Sequence, residues 1–310
     1  MAIDSATSLA KLNLIAPVLT ASGCAAAGKE LDQFFDITKI GGIVTKSIML
    51  EARSGRPTPR MAETPSGMLN SIGLQGPGID SFIEKDLAWL QDRGVTTIVS
   101  IAGNNIEEFG RLASKLRDHP AVAAIEINIS CPNVANRGLV FACNTESAAD
   151  VVSVVRRNVS PGMPLLAKLS PDVTDIVEIA QSVKAAGADG VSVINTLLGM
   201  VIDQKTLRPV LGGRTGGLSG PAIRPVALRC VFQIHAAMPS FPILGMGGIR
   251  NGKDALEFIA AGASAISVGT ATFGDPSAPM RIQNELLQEI ENHGFESISD
   301  VIGVAHKGDN

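Results

Sequence analysis

The sequence contains no tyrosine, one tryptophan and only four cysteines among its 310 residues. The cysteines are Cys24, Cys131, Cys143 and Cys230; they form no CxxC pair, and their spacing matches no zinc or iron–sulfur site. No uninterrupted apolar run reaches the roughly 18 residues that a transmembrane helix needs. We therefore expect no metal centre and no membrane span.

The sequence also lacks an excess of positive charge. Its 26 Lys and Arg residues stand against 30 Asp and Glu residues, which gives a net charge of −4. General nucleic-acid binders and proteins of anionic membranes normally carry a basic surface, so we expect neither kind of partner. The N-terminal segment has no basic stretch followed by an apolar core, which argues against a secretory signal. We expect a cytoplasmic protein with free thiols.

Short apolar runs alternate with longer amphipathic segments along nearly the whole chain. The continuous apolar character of these runs is typical of parallel strands covered on both faces. Between the runs we expect helices, and Asp175–Ala186 has the clearest apolar face. Eight βα units in one alternating series favour a closed (β/α)₈ TIM barrel, with residues 1–310 as a single domain. The predicted strands are Pro17–Ser22, Gly42–Lys46, Thr97–Ala102, Ala124–Asn128, Pro164–Leu169, Gly190–Asn195, Pro242–Met246 and Ala265–Gly269.

Two connections are longer than an ordinary barrel loop, and a third lacks a regular pattern. The connection after the second predicted strand includes Arg53–Arg60, rich in Arg and Pro, and the glycine-rich Gly67–Gly78. The connection after the sixth strand, Leu197–Gly220, is rich in glycine and has few helix formers. The loop after the fourth strand has no regular pattern over Val134–Val140. We expect these three insertions, after strands 2, 4 and 6, to be lids over the barrel mouth.

Polar side chains stand at the ends of the first six apolar runs, where a barrel places its active site. Strands end where polarity begins, and this alone accounts for the serines among them. Lysines are harder to explain, because a lysine in a narrowing barrel mouth is costly unless an anion or a polar ligand meets it. The six residues are Ser22, Lys46, Ser100, Asn128, Lys168 and Asn195.

The last two predicted strands end in glycine, at Gly247-Gly248 and at Gly269-Thr270. Glycine lets backbone N–H groups approach a phosphate closely, and barrels often bind phosphate after strands seven and eight. Each glycine motif alone is weak, but both in this order predict a phosphorylated ligand. Lysines and asparagines in the same mouth suit a polar heteroaromatic ring, and flavin mononucleotide (FMN) combines such a ring with one phosphate.

Cys131 lies in the most distinctive run of the sequence, Asn128–Asn133 (NISCPN), directly after the fourth predicted strand. A cysteine with a lowered pKa is a plausible general base or nucleophile on such a loop. Buried cysteines are also common apolar fillers, and we assign that role to Cys24, Cys143 and Cys230. No histidine follows a strand, so Cys131 is the candidate catalytic residue.

The runs Asn128–Asn133 and Asn70–Gln75 (NSIGLQ), with Thr45–Ser47, Lys168–Pro171 and Gly216–Pro221, make the chain recognisable. Over nearly its whole length it resembles the class 1 dihydroorotate dehydrogenases, flavin enzymes of pyrimidine synthesis. Gly67-Met68-Leu69 ahead of the second motif looks more like subclass 1B than 1A. Two positions depart from the family pattern: Ser100 at a flavin contact and Gly76 at a substrate contact.

The resemblance implies a set of site residues and a mechanism. Cys131 would take a proton from C5 of dihydroorotate while a hydride leaves C6 for N5 of FMN, giving orotate. The FMN contacts implied are Ser22, Lys46, Ser47, Ser100, Asn128, Lys168, Ile194, Gly220, Gly247, Gly248, Gly269 and Thr270. The substrate contacts implied are Lys46, Asn70, Ser71, Ile72, Gly73, Leu74, Asn128, Asn195 and Thr196.

The resemblance also implies an electron acceptor and partners. Subclass 1B enzymes pass electrons to NAD⁺ through a partner subunit that carries FAD and a 2Fe–2S cluster, so we expect a homodimer core within a heterotetramer. A homodimer of the 1A type that uses fumarate is the alternative. Two further readings stay open: a Schiff-base aldolase that uses Lys168, and a flavin-binding scaffold without catalysis.

Overall fold

Eight parallel strands form the centre of the computed structural model, which describes residues 3–130 and 144–308. In their order around the sheet, the strands are β3 (Val18–Thr20), β14 (Ala265–Val268), β13 (Ile243–Met246), β10 (Gly190–Val193), β9 (Leu165–Leu169), β8 (Ala124–Asn128), β7 (Thr97–Ile101) and β4 (Ile43–Val44). Every neighbouring pair is parallel. A parallel bridge between Leu19 and Gly42 joins the first strand of this series to the last.

The (β/α)₈ barrel that the sequence predicts is therefore confirmed. All eight predicted strands are present, and Ala124–Asn128 has the same bounds in both. The others are shorter at one or both ends; β4, for example, covers only Ile43–Val44, so Lys46 lies two residues beyond it. This matters for function because a side chain beyond its strand is free of the sheet and can reach a ligand.

Helices pack around the barrel, and their caps are encoded locally. The helix predicted over 175–186 is α5, and the carboxylate of Asp175 accepts hydrogen bonds from the backbone of Val177 and Glu178 at its start. Asn105, Asn144 and Asn251 cap three other helices in the same way. The helices are α1 (Ile79–Phe82), α2 (Ala88–Arg93), α3 (Ile106–Leu116), α4 (Thr145–Asn158), α5 (Ile176–Ala185), α6 (Arg224–Ala237), α7 (Gly252–Ala260), α8 (Ala278–Asn292) and α9 (Ile298–Val301), with a π-helical turn at Ile83–Leu87.

A four-stranded antiparallel sheet connects the insertions after β4 and β10, a feature that the sequence did not predict. Its order is β11 (Leu197–Gly199), β12 (Gly216–Ser219), β6 (Gly67–Asn70) and β5 (Met61–Thr64). The pairing of β12 with β6 joins segments about 150 residues apart in sequence. Two of the predicted lids are thus one hydrogen-bonded sheet beside the barrel mouth. The third lid lies almost entirely outside the described residues.

An N-terminal hairpin, β1 (Thr7–Leu9) with β2 (Leu12–Leu14), packs at the opposite end of the barrel. Leu9 and Leu14 are buried with inward side chains such as Ile98 and Leu166. Burial of this kind is worth about 1.5–3 kcal/mol for each large aliphatic side chain. The barrel interior is therefore apolar at its N-terminal end, and its polar side chains lie nearer the other end.

Candidate functional site

A cavity of about 550 Å³ opens at the C-terminal ends of the barrel strands. Its size lies within the usual range for small-molecule and cofactor sites. The walls come from loops after the strands and from the antiparallel sheet. Seventeen of the predicted site residues line it: Ser22, Lys46, Ser47, Asn70, Ile72, Gly73, Leu74, Asn128, Lys168, Ile194, Asn195, Thr196, Gly220, Gly247, Gly248, Gly269 and Thr270.

Two predicted residues, Ser71 and Ser100, lie behind the wall instead. Both side chains are fully buried. Ser71 accepts a hydrogen bond from Nη1 of Arg56 at 3.1 Å. Ser100 lies next to Ser47 inside the barrel, with 2.9 Å between the hydroxyl oxygens. Ser100 therefore supports Ser47 of the cavity wall, whereas the partner of Ser71 does not line the cavity.

The two lysines of the cavity have different surroundings. Lys168 projects from β9 and is almost fully buried, with its ammonium 3.6 Å from the carboxylate of Glu126. Lys46 is only half-buried, and no ion pair is found for it among the described residues. Burial lowers the pKa of Lys46, the nearby Arg60 lowers it further, and Cys24 opposes the change. Lys46 is thus the cation whose charge is available to an anionic ligand.

A chain of hydroxyl and amide groups crosses the cavity floor. The side-chain amide of Asn128 donates to Ser47 at 2.8 Å, and its carbonyl oxygen accepts from Ser130 at 3.2 Å. Asn195 donates to Ser130 at 2.7 Å. These contacts fix which end of the Asn128 side chain faces which neighbour, because its N–H and C=O groups have different partners. The floor is therefore pre-organised for a ligand with both donors and acceptors.

The far end of the cavity is built from backbone. Gly248 has a φ of +80°, and a Cβ there would lie 2.8 Å from Cβ of Arg224. Only glycine fits that position without strain. Thr270 begins a short 3-10 helix, Thr270–Phe273, whose first N–H groups have no partner within the helix. This combination of close backbone and free N–H groups suits a phosphate.

Several lining residues were not predicted as site residues. Ser219 accepts a hydrogen bond from Thr270 at 2.9 Å and belongs to the Gly216–Pro221 motif, so the sequence did carry a signal for it. Met61 and Met68 come from the unpredicted sheet. Cys24 also lines the cavity, and burial raises the pKa of its thiol to about 11 in spite of the two lysines. At neutral pH Cys24 is therefore a neutral thiol rather than a base.

Cys131, the predicted catalytic residue, lies outside the described residues, as does Cys143. The neighbouring residues Asn128 and Ser130 are described, and both are buried at the cavity floor.

The described ranges, 3–130 and 144–308, contain no group of three or more His, Cys, Asp or Glu side chains placed to bind a metal ion. Within the same ranges, no helix combines the length and apolar character needed to cross a membrane.

Comparison with known proteins agrees with the motifs. The family model for dihydroorotate dehydrogenase matches residues 5–290. A protein of Desulforamulus reducens named dihydroorotate dehydrogenase B (NAD(+)), catalytic subunit, is 49% identical over 306 residues, which cover 99% of this chain and 100% of that protein. Proteins with the same name from Geobacter sp. strain M21 and Geobacillus sp. strain WCH70 are 49% and 47% identical, with at least 96% of each chain covered.

Proposed function

Because the chain belongs to the dihydroorotate dehydrogenase family, we propose that it oxidises (S)-dihydroorotate to orotate with FMN in the cavity at the barrel mouth. The observation that carries this proposal is one cavity with cationic side chains on its floor and glycine backbone at its far end. These are the two chemistries that a flavin ring and a phosphate require.

The residues present fit FMN. The donors and acceptors of Asn128, Lys168 and the serines match the carbonyl and N–H edge of the flavin ring. Gly248 and its neighbours present backbone rather than side chains at the far end of the cavity, and a Cβ at Gly248 would overlap Cβ of Arg224. The proposed FMN residues in the wall are Ser22, Lys46, Ser47, Asn128, Lys168, Ile194, Gly220, Gly247, Gly248, Gly269 and Thr270, with Ser100 supporting Ser47 from behind.

The substrate is proposed to lie over the same floor. Lys46 pairs with the carboxylate of dihydroorotate, since its ammonium is the cation without a protein counter-ion in the described cavity. Amide side chains such as Asn70 and Asn195 match the carbonyl and N–H groups of the substrate ring. The proposed substrate residues are Lys46, Asn70, Ile72, Gly73, Leu74, Asn128, Asn195 and Thr196, with Ser71 behind them.

Two bonds of the substrate break in the proposed reaction. Cys131, as the general base, takes the proton from C5. FMN held by these residues would supply the two-electron acceptor for the hydride of C6. The C5–C6 bond becomes double and orotate results. The cavity residues orient the ring so that the base and the acceptor meet adjacent carbons.

The proposed final acceptor is NAD⁺, reached through a partner subunit with FAD and a 2Fe–2S cluster around a homodimer core. The printed name of the relatives includes NAD(+) and the words catalytic subunit, which supports the acceptor and the presence of a partner subunit. The aldolase reading of Lys168 loses support, because an ion-paired ammonium lacks the lone pair that attacks a carbonyl.

An anaerobic absorption spectrum tests the proposal. We expect the purified chain to be yellow and dihydroorotate to bleach the flavin. In Cys131→Ala, bleaching should slow by at least about 10²-fold with flavin still bound, because a general base contributes about 10²–10⁴-fold. Cys230→Ala is the control, since Cys230 is buried in α6 and does not line the cavity. An unchanged rate in Cys131→Ala would show that Cys131 is not the base, and a colourless protein would contradict the whole proposal.

A further inference from the structure

A buried carboxylate lies beneath the proposed flavin site with no role in the reaction assigned to it. Glu126 projects from β8 into the barrel and is fully buried. Its Oε1 atom accepts a hydrogen bond from Ser100 at 3.0 Å and lies 3.6 Å from the ammonium of Lys168. Its Oε2 atom has no hydrogen-bond partner among the described residues. A buried carboxylate with so few partners is costly to fold, which calls for an explanation beyond packing.

The first consequence of this placement concerns charge. Lys168 lines the cavity and is nearly fully buried. Glu126, its only ion-pair partner in the described part of the chain, is buried as well. Little solvent separates or screens the two groups, so the carboxylate both holds the ammonium in place and offsets part of its charge. A ligand over Lys168 therefore experiences less positive charge than a lone lysine would provide.

The second consequence concerns hydrogen-bond direction. A carboxylate only accepts, so the single hydroxyl hydrogen of Ser100 points to Glu126. Ser100 must then accept from Ser47, at 2.9 Å, and Ser47 in turn accepts from Ser22, at 3.3 Å, and from Asn128. Each hydroxyl donates inward, toward Glu126. Ser22, at the cavity wall, thus presents an acceptor to whatever occupies the cavity.

We propose that Glu126 is a positioning residue of the flavin site, which tunes the site by holding and partly neutralising Lys168 and by directing the Ser22–Ser47–Ser100 chain inward. This rests on the proposed function, because the ligand it acts on is FMN. Glu126 itself does not line the cavity, so its effect passes through Lys168 and Ser100.

The test is the midpoint potential of bound FMN in Glu126→Gln, measured by anaerobic titration with a reference dye. Reduced flavin carries more negative charge than oxidised flavin, so an unopposed Lys168 should favour reduction. We expect the equilibrium constant for two-electron reduction to rise at least about tenfold, which is about 30 mV. A merely structural role would weaken FMN binding or lower the Tm without this rise.

Three variants make the result specific. Glu126→Asp keeps the negative charge but moves it away from Lys168, so we expect an intermediate rise in the equilibrium constant for FMN reduction. If Glu126→Gln does not fold, the test uses Glu126→Asp instead. Ser100→Ala breaks the hydroxyl chain and keeps the ion pair between Lys168 and Glu126. Its equilibrium constant for two-electron reduction of FMN should therefore change by less than about threefold. Glu84→Gln removes one exposed carboxylate and should leave the potential unchanged.

The failures are distinguishable. If the wild-type chain binds no FMN, both the proposed function and this inference are wrong. If the wild-type chain binds FMN and a folded, flavin-loaded Glu126→Gln has an unchanged or lower potential, the inference alone is overturned. A shift in Ser100→Ala as large as that in Glu126→Gln would show that the hydroxyl chain sets the potential, which would overturn the part of the inference that assigns the effect to the charge of Lys168.

Discussion

Lys46 and Lys168 face the same cavity but differ in what balances their charge. Lys168 has the carboxylate of Glu126 at 3.6 Å, whereas the charged neighbour that most affects Lys46 is the cation Arg60. Burial and the like charge of Arg60 both disfavour the protonated form of Lys46. An anion that binds next to Lys46 stabilises this protonated form and so offsets both effects. This difference is why we assign the substrate carboxylate to Lys46 rather than to Lys168.

A pH dependence follows from the lowered pKa of Lys46. The ammonium persists below that pKa and is lost as the pH rises through it, at a lower pH than for an ordinary lysine. We expect KM for dihydroorotate to rise by up to about tenfold per pH unit above that point. Flavin reduction measured between about pH 7 and pH 10 gives the profile.

The matched control is Lys46→Arg, since a guanidinium stays charged throughout that range. Its KM should be flat with pH even if its absolute value is higher. A KM that rises equally in Lys46→Arg would mean that another group, or the substrate, is titrating.

At the scale of elements, the phosphate end depends on backbone shape more than on side chains. Gly248→Ala would place a Cβ 2.8 Å from both Arg224 Cβ and the carbonyl oxygen of Gly220, in a φ region that costs a non-glycine residue about 1–3 kcal/mol. The turn must shift to relieve this overlap and so loses contacts to the phosphate; we expect FMN to bind at least about tenfold more weakly, which corresponds to about 1.4 kcal/mol of binding free energy. Recovery of flavin fluorescence on dilution measures the dissociation constant.

Gly162→Ala is the control for this substitution. A Cβ at Gly162 meets no atom within 4 Å, and its φ is not in the left-handed region. FMN affinity and Tm should therefore stay near those of the wild type. If Gly248→Ala also binds FMN normally, the glycine turn is not the phosphate site.

The barrel strands could be predicted from the sequence because their signal is local. Ala124–Asn128, for example, is an apolar and β-branched run, interrupted only by Glu126, that ends in a polar residue, and the structure places β8 there. The position of Gly247, Gly248 and Gly269 at the cavity could be predicted because order along the chain places them at neighbouring strand ends. Here pattern and topology point to the same answer.

The antiparallel sheet could not be predicted, because its signal is not local. Gly67 and Gly216 are poor strand formers taken alone. They are tolerated because the strands approach closely: a Cβ at Gly67 would overlap the carbonyl oxygen of Ser219. Glu126 was missed for a similar reason, since one acidic residue in an apolar run gives no sign that its partner is Lys168, on the next strand.

At the scale of the whole molecule, the site exists only when the barrel is closed. The floor residues Lys46, Asn128, Lys168 and Asn195 come from four different strand ends, and the wall above them from two insertions. FMN that binds this assembled cavity and not the unfolded chain must stabilise the fold by mass action. Under the proposed function, folding, FMN binding and the supply of electrons are therefore linked in one cavity.

The last prediction concerns where those electrons go. A second cavity of the described chain, of about 120 Å³, is too small for a dinucleotide. If the final acceptor is NAD⁺ through a partner, the purified chain should pass electrons from dihydroorotate to an artificial dye but form no NADH. Co-expression with the partner subunit should bring NADH formation, followed by absorbance. NADH formed by the chain alone would contradict the partner assignment, and fumarate-dependent turnover by the chain alone would favour the homodimer alternative.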